Sequence, residues 1–157
     1  MKVLEVMTTG PVTCTATTDL VSCARMMWDG DFGFLPVVGE RNEVIGVVTD
    51  RDICMGLAMN DRRPSDVRVR DIMTHEVHRC LPEDTTDTVM RLMKEHQIRR
   101  LPVTDADGVL KGIVSVNDLA LSAGESGTRT TKGAPVPANE VLATVRAIAR
   151  HRATVEA

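Results

Sequence analysis

The sequence predicts a mixed α/β (α+β) fold built from two β-α-β-β-α repeats. Two observations predict it. Slid against itself, the chain of 157 residues matches residues 3–55 to residues 69–121 at a constant offset of 66, with no gap. Within each copy the apolar period then changes from 2 to 3.6 and back in the same order, which sets the element types. The offset carries Met7-Thr8 onto Met73-Thr74, Cys14 onto Cys80, Leu35-Pro36-Val37 onto Leu101-Pro102-Val103, Gly46 onto Gly112 and Asp52 onto Asp118.

Each copy opens with a short extended stretch, Val12-Thr13-Cys14 in the first. Thr17-Thr18-Asp19 supplies N-cap oxygens, and Leu20, Val21, Ala24, Met27 and Trp28 follow at helical spacing until Gly30. Leu35-Pro36-Val37-Val38 and Val44 to Val48 read as two strands joined by the polar turn Gly39 to Glu43. A second helix starts after Thr49. The second copy repeats the order with helix residues Val89, Met90, Leu92 and Met93, strand Leu101-Pro102-Val103, turn Asp105 to Gly108 and strand Val109 to Val114. Pro36 and Pro102 cannot donate to a ladder, so each marks an edge or an irregular place in its strand. The methionines Met26, Met27, Met90 and Met93 read as gap-filling core.

The repeats are expected at residues 1–66 and 67–122. Gly, Ser, Thr and Pro dominate residues 123–138, which read as a flexible linker. Residues 139–152 read as an amphipathic helix capped by Asn139, with Val141, Leu142, Val145, Ile148 and Ala149 on one stripe opposite Arg146, Arg150 and Arg152. That stripe can cover its own module, a dimer mate or an effector protein.

Composition removes several function classes. A net charge of -3 and only three aromatic residues (Trp28, Phe32 and Phe34) give no basic face or stacking platform, so no nucleic-acid partner is expected. No apolar run reaches the ~20 residues that span a bilayer, and the first ten residues have no apolar leader core. A cytoplasmic protein with no membrane partner is expected. Four cysteines without C-x-x-C spacing read as reduced and buried. The four histidines form no catalytic constellation, and His75-x-x-His78 offers two imidazoles where zinc takes four ligands. No catalytic residue, metal or catalytic cofactor is expected, and the chain is not read as an enzyme.

The ordered motifs carry a family resemblance. Val6-Met7-Thr8, Leu35-Pro36-Val37 and Gly46-Val47-Val48-Thr49-Asp50-Arg51-Asp52 return as Ile72-Met73-Thr74, Leu101-Pro102-Val103 and Gly112-Ile113-Val114-Ser115-Val116-Asn117-Asp118. Over residues 1–122 this resembles a tandem pair of cystathionine β-synthase (CBS) domains, a stand-alone Bateman module. The resemblance implies two repeats packed with pseudo-two-fold symmetry, an adenosine-containing ligand (AMP, ADP or ATP) in clefts between them, and a symmetric homodimer. Such a chain would be a regulatory sensor acting on a partner or on its own oligomeric state. The alternative is a constitutive dimerisation scaffold without a working nucleotide site.

By the same resemblance Asp52 and Asp118 would hold ribose hydroxyls, with Thr49 and Ser115 serving ribose or phosphate. Arg51 and Asn117 would reach the ligand or line its rim. The pattern T/S-x-x-D also satisfies a capping box, so capping alone would account for both pairs. Arg99-Arg100 replaces Gly33-Phe34 of the first copy; it reads as a phosphate contact or as a solvated strand end. Cys14, Cys80, Pro36 and Pro102 would line the adenine cleft, or belong to the core.

Overall fold

Chain-local signals decide where the elements begin. In the computed structural model, which describes residues 1–59, 61–124 and 135–150, α1 covers Leu20–Asp29 and α3 covers Thr86–His96. Asp19 caps α1 by accepting from the Ser22 N–H at 3.0 Å, and Thr85 caps α3 by accepting from the Thr88 N–H at 3.3 Å. Each helix is followed by an antiparallel hairpin, β2 (Phe34–Val38) with β3 (Val44–Thr49) and β4 (Arg100–Thr104) with β5 (Leu110–Ser115). The hairpin turns place Asn42 and Gly108, which are equivalent at the 66-residue offset, at φ 62° and 83°. Only Gly, and less readily Asn, adopts that left-handed conformation cheaply. Short helices α2 (Asp50–Met59) and α4 (Val116–Leu121) close each copy.

The chain forms two compact units that exchange their leading segments. One unit holds Met1–Thr9, His78–Asp105 and the residues from Lys111 onward; the other holds Gly10–Val77 and Ala106–Leu110. In the first of these, β1 (Thr8–Thr9) pairs with β5, Thr8 opposite Ile113. In the other, Thr74 bridges Val47 with both backbone hydrogen bonds made, at 3.0 and 2.9 Å. The two pairings coincide at the 66-residue offset, so each repeat's M-T motif completes the hairpin of the opposite repeat. This explains the glycine of the G-h-h-T/S motif, where h is apolar. A Cβ on Gly112 would stand 2.6 Å from the Thr8 carbonyl oxygen, and one on Gly46 would stand 2.9 Å from the Met73 sulfur. Any larger residue would push the incoming strand away.

Each unit buries its own core. Leu20, Cys23, Leu35, Val37, Val48, Val67 and Val69 pack in the first-repeat unit. Val3, Val89, Met90, Met93, Leu101, Val103, Val114 and Leu119 pack in the second-repeat unit. Pro36 sits opposite Val47 in β2, and the strand's irregularity falls just after it, between Val37 and Val38.

The tail differs from its sequence reading. Helix α5 covers Ala138–Ala149 and follows Pro137, so Asn139 lies inside the first turn and no side chain caps it. Residues 151 and 152 of the expected helix, and residues 125–134 of the expected linker, lie outside the described residues. The linker's ends are paired: β6 (Ala123–Gly124) runs parallel to β7 (Val136–Pro137). The buried face of α5 is Val141 and Thr144 with part of Ile148, while Leu142 and Val145 of the expected stripe are exposed. Thr144 can be buried because its hydroxyl donates to the Glu140 carbonyl at 2.8 Å, leaving no unpaired polar atom. The helix packs on α3 of its own unit, held at its sides by Lys94 and Glu140 at 3.6 Å. The Gln97 amide donates to the Ala147 and Arg150 carbonyls at 3.4 and 3.0 Å, partners that the end of a helix lacks internally.

Candidate functional site

The T/S-x-x-D pairs sit where β3 turns into α2 and where β5 turns into α4, because β-branched apolar strands end there at a hydroxyl residue able to cap. Both pairs form complete capping boxes. Asp52 Oδ2 accepts from the Thr49 N–H at 2.8 Å and the Thr49 hydroxyl at 2.7 Å, while the Asp52 N–H donates to Thr49 Oγ1 at 3.2 Å. In the second repeat the corresponding distances at Ser115 and Asp118 are 2.7, 2.5 and 3.3 Å. One carboxylate oxygen therefore does all the capping. The other, Oδ1, takes no hydrogen bond among the described residues in either copy, and both aspartates are half-buried. A half-buried carboxylate oxygen without a partner has capacity for two further donors, as a ribose diol would supply.

Cys14 and Cys80 occupy one place in their units, each donating its N–H to a proline carbonyl. The partners are Pro36 at 3.1 Å and Pro102 at 3.2 Å. All four residues are buried. Burial, with the Asp84 charge adding to it, pushes the Cys80 thiol up to about 12. The Cys14 thiol is also pushed up, by its hydrogen bond to Cys23 and then by burial. These thiols stay protonated and offer no nucleophile near neutrality. Cys54 is the exposed cysteine, and all four are free.

The surroundings of the two aspartates differ. Arg99 is exposed and Arg100 half-buried; the Arg99 carbonyl accepts from the Val116 N–H at 3.0 Å, placing it beside Ser115. Neither guanidinium has an ion-pair partner among the described residues. At the equivalent place in the first repeat the Asp50 carboxylate lies against Gly33, where a Cβ would come within 2.4 Å of Asp50 Oδ2. Arg51 and Asn117 are both exposed. The sequence reading found Arg99 and Arg100 but missed the Gly33–Asp50 contact. The signal was a glycine in place of an arginine.

His78 stacks on His96 with ring centroids 3.5 Å apart, so the His75-x-x-His78 spacing does not describe His78's actual neighbour. Among the described residues no group of three or more His, Cys, Asp or Glu side chains could hold a metal ion, and no helix is long and apolar enough to cross a membrane.

A duplicated β-α-β-β-α fold whose copies carry the same carboxylate beside the same strand-to-helix turn defines a tandem-repeat module. The chain belongs to the CBS domain family, whose profile matches residues 3–58 and 69–123. It is 37% identical over 123 residues to the uncharacterized protein YlbB of Bacillus subtilis, covering 77% of this chain and 81% of that one. Among solved structures it resembles the CBS domain pair of protein MJ0100 in complex with 5′-methylthioadenosine and S-adenosyl-L-methionine. That match has a TM-score of 0.70 at 25% identity, covering 77% of this chain and 94% of the other. It also resembles CBSX2 in complex with AMP, with a TM-score of 0.66 at 25% identity over 74% and 91% of the two chains.

Proposed function

We propose that this chain is a regulatory sensor that binds an adenosine-containing ligand and passes the binding energy to a partner protein or to its own assembly. The observation that carries the reading is the duplicated aspartate whose Oδ2 is spent on capping while Oδ1 takes no hydrogen bond among the described residues in either copy. Thr49 with Asp52 and Ser115 with Asp118 hold the ribose. Arg51, Asn117, Arg99 and Arg100 line the ribose and phosphate side, and Cys14, Cys80, Pro36 and Pro102 stand behind the adenine. AMP, ADP or ATP is the regulatory ligand and no catalytic cofactor is used. Relatives in complex with AMP and with S-adenosyl-L-methionine support the ligand class. Four free cysteines support a reducing, cytoplasmic setting.

The chain pairs with a second copy through the face of α1. Val21 and Trp28 are exposed there one heptad apart, and Trp28, the single tryptophan of the chain, is 86% exposed.

A thermal-shift panel of AMP, ADP, ATP and S-adenosylmethionine tests the sensor, because a ligand bound only to the folded state must raise Tm. The expected result is a rise that disappears in Asp52→Asn/Asp118→Asn. No rise with any of the four moves the assignment to a constitutive dimerisation scaffold, for which the complete capping boxes are reason enough to keep the T/S-x-x-D pairs.

A further inference from the structure

The two repeats share one fold and one T/S-x-x-D pair but present different charge beside it. Gly33, Phe34, Asp50 and Arg51 carry no net charge in the first repeat, whereas Arg99, Arg100, Val116 and Asn117 carry +2 in the second. The difference lies in the side chains, because the same backbone hydrogen bond joins positions 50 and 33 and positions 116 and 99. The Asp50 N–H donates to the Gly33 carbonyl at 3.3 Å, and its carboxylate occupies the space that a side chain at position 33 would need. Asp50 Oδ1 also accepts from the Arg51 backbone N–H at 2.7 Å, which holds the carboxylate at the start of α2. An arginine cannot be placed at position 33 while Asp50 stays where it is. In the second repeat Val116 replaces Asp50, and among the described residues no carboxylate forms an ion pair with Arg99.

We propose that the two repeats select adenosyl ligands by the charge of the 5′ substituent. The second repeat, with Arg99 and Arg100 beside Asp118, takes a 5′-phosphorylated adenosine. The first, with Asp50 over Gly33 beside Asp52, takes an adenosyl group whose 5′ substituent is uncharged or cationic, such as a thioether or sulfonium. This deepens the sensor reading and rests on it. Physically, a phosphate gains charge-assisted hydrogen bonds from the guanidiniums of the second repeat, whereas in the first repeat repulsion from Asp50 offsets the attraction of Arg51. A sulfonium or thioether forfeits nothing at Asp50. A module of this kind would report the balance between a phosphorylated and an unphosphorylated adenosyl pool, with one ligand per repeat.

Isothermal titration with AMP, with 5′-methylthioadenosine and with both together tests this. The expected result is one AMP and one methylthioadenosine per chain, each binding in the presence of the other. Arg99→Ala/Arg100→Ala should weaken AMP about tenfold or more and change methylthioadenosine less than about twofold. Asp118→Asn should remove AMP alone and Asp52→Asn methylthioadenosine alone. Asp50→Asn, at an exposed position where folding is not at stake, should strengthen AMP at the first repeat about fivefold at low salt, an advantage that salt erodes. Ligand-free melting of every variant separates a lost contact from a lost fold. Two equal AMP sites per chain, competition between the two ligands for one site, or equal weakening of both by the arginine pair would overturn charge selection while leaving an adenosyl sensor in place. Failure of every adenosyl compound to bind would overturn the sensor reading itself.

Discussion

Helices α1 and α3 are the same element in the two copies of the repeat, yet among the described residues only α3 is covered by a further helix. At the 66-residue offset Ala24, Trp28 and Asp31 of the first repeat correspond to Met90, Lys94 and Gln97 of the second. The second set is the seat of α5: Met90 is 1% exposed, Lys94 pairs with Glu140, and Gln97 ties down the end of the helix. The first set has no covering helix among the described residues, and Trp28 stands 86% exposed. The repeat fold therefore leaves one helix face open, and what covers that face decides whether it carries apolar or polar residues. In the second repeat an appended segment of the same chain covers it. In the first, the Trp28 ring stands 86% exposed, and the proposed pairing with a second copy rests on it.

Removing α5 should break this contrast with the largest effect. A chain ending at Pro137 loses the packing of Val141, Thr144 and Ile148, and at ~1.5–3 kcal/mol for each large apolar side chain buried the loss is about 3–5 kcal/mol. Hydrogen exchange should show α3 amides opening while α1 amides keep their protection; equal loss in both helices would mean that α5 supports the whole chain. Single substitutions sharpen the same point. Met90→Ala should cost about 2–5 kcal/mol because a cavity opens under α5. Trp28→Ala, one turn from the equivalent place on α1, should change monomer stability by no more than about 0.5 kcal/mol. Its effect should fall on association, read by sedimentation: a dimer unaffected by Trp28→Ala does not use the α1 face.

What the sequence disclosed follows the range of the interaction. The order of elements, the helix starts at Asp19 and Thr85 and the turn positions 42 and 108 depend on a few neighbouring residues, and periodicity with cap chemistry exposes them. The reason for Gly46 and Gly112 could not be read that way, because the strand that needs the space comes from the opposite repeat. Gly33 was equally silent, since its meaning lies in an Asp50 carboxylate across the hairpin. The stripe on α5 was misread for a different cause. Counting apolar side chains favoured Leu142 and Val145 over Thr144, but a threonine that satisfies its hydroxyl on its own helix can be buried. Of the site, the T/S-x-x-D pairs were legible as caps, and their ligand role is part of the proposal. The structure shows that the cap uses one oxygen of each carboxylate.

The smallest expected effect separates the repeats by pH. Helix α1 is capped by a carboxylate and α3 by a hydroxyl, so only the first cap can be titrated. Hydrogen bonds from the Ser22 N–H, then from the Ser22 hydroxyl at 2.7 Å, hold the Asp19 carboxyl below its ordinary value. A carboxyl whose folded pKa is depressed stabilises the fold fully above its unfolded pKa, near 3.9. That stability is lost as pH falls through the depressed folded value. Asp19→Ala should therefore lower Tm near pH 7, and the gap from the parent should close as the pH drops below about 4. Thr85→Ala removes the equivalent cap on α3, at a cost of about 1 kcal/mol, and its gap from the parent should stay constant over the same range. If both gaps closed together, acid would be acting on the common fold rather than on the α1 cap. If neither closed, Asp19 would contribute to capping through shape and polarity alone, without its charge.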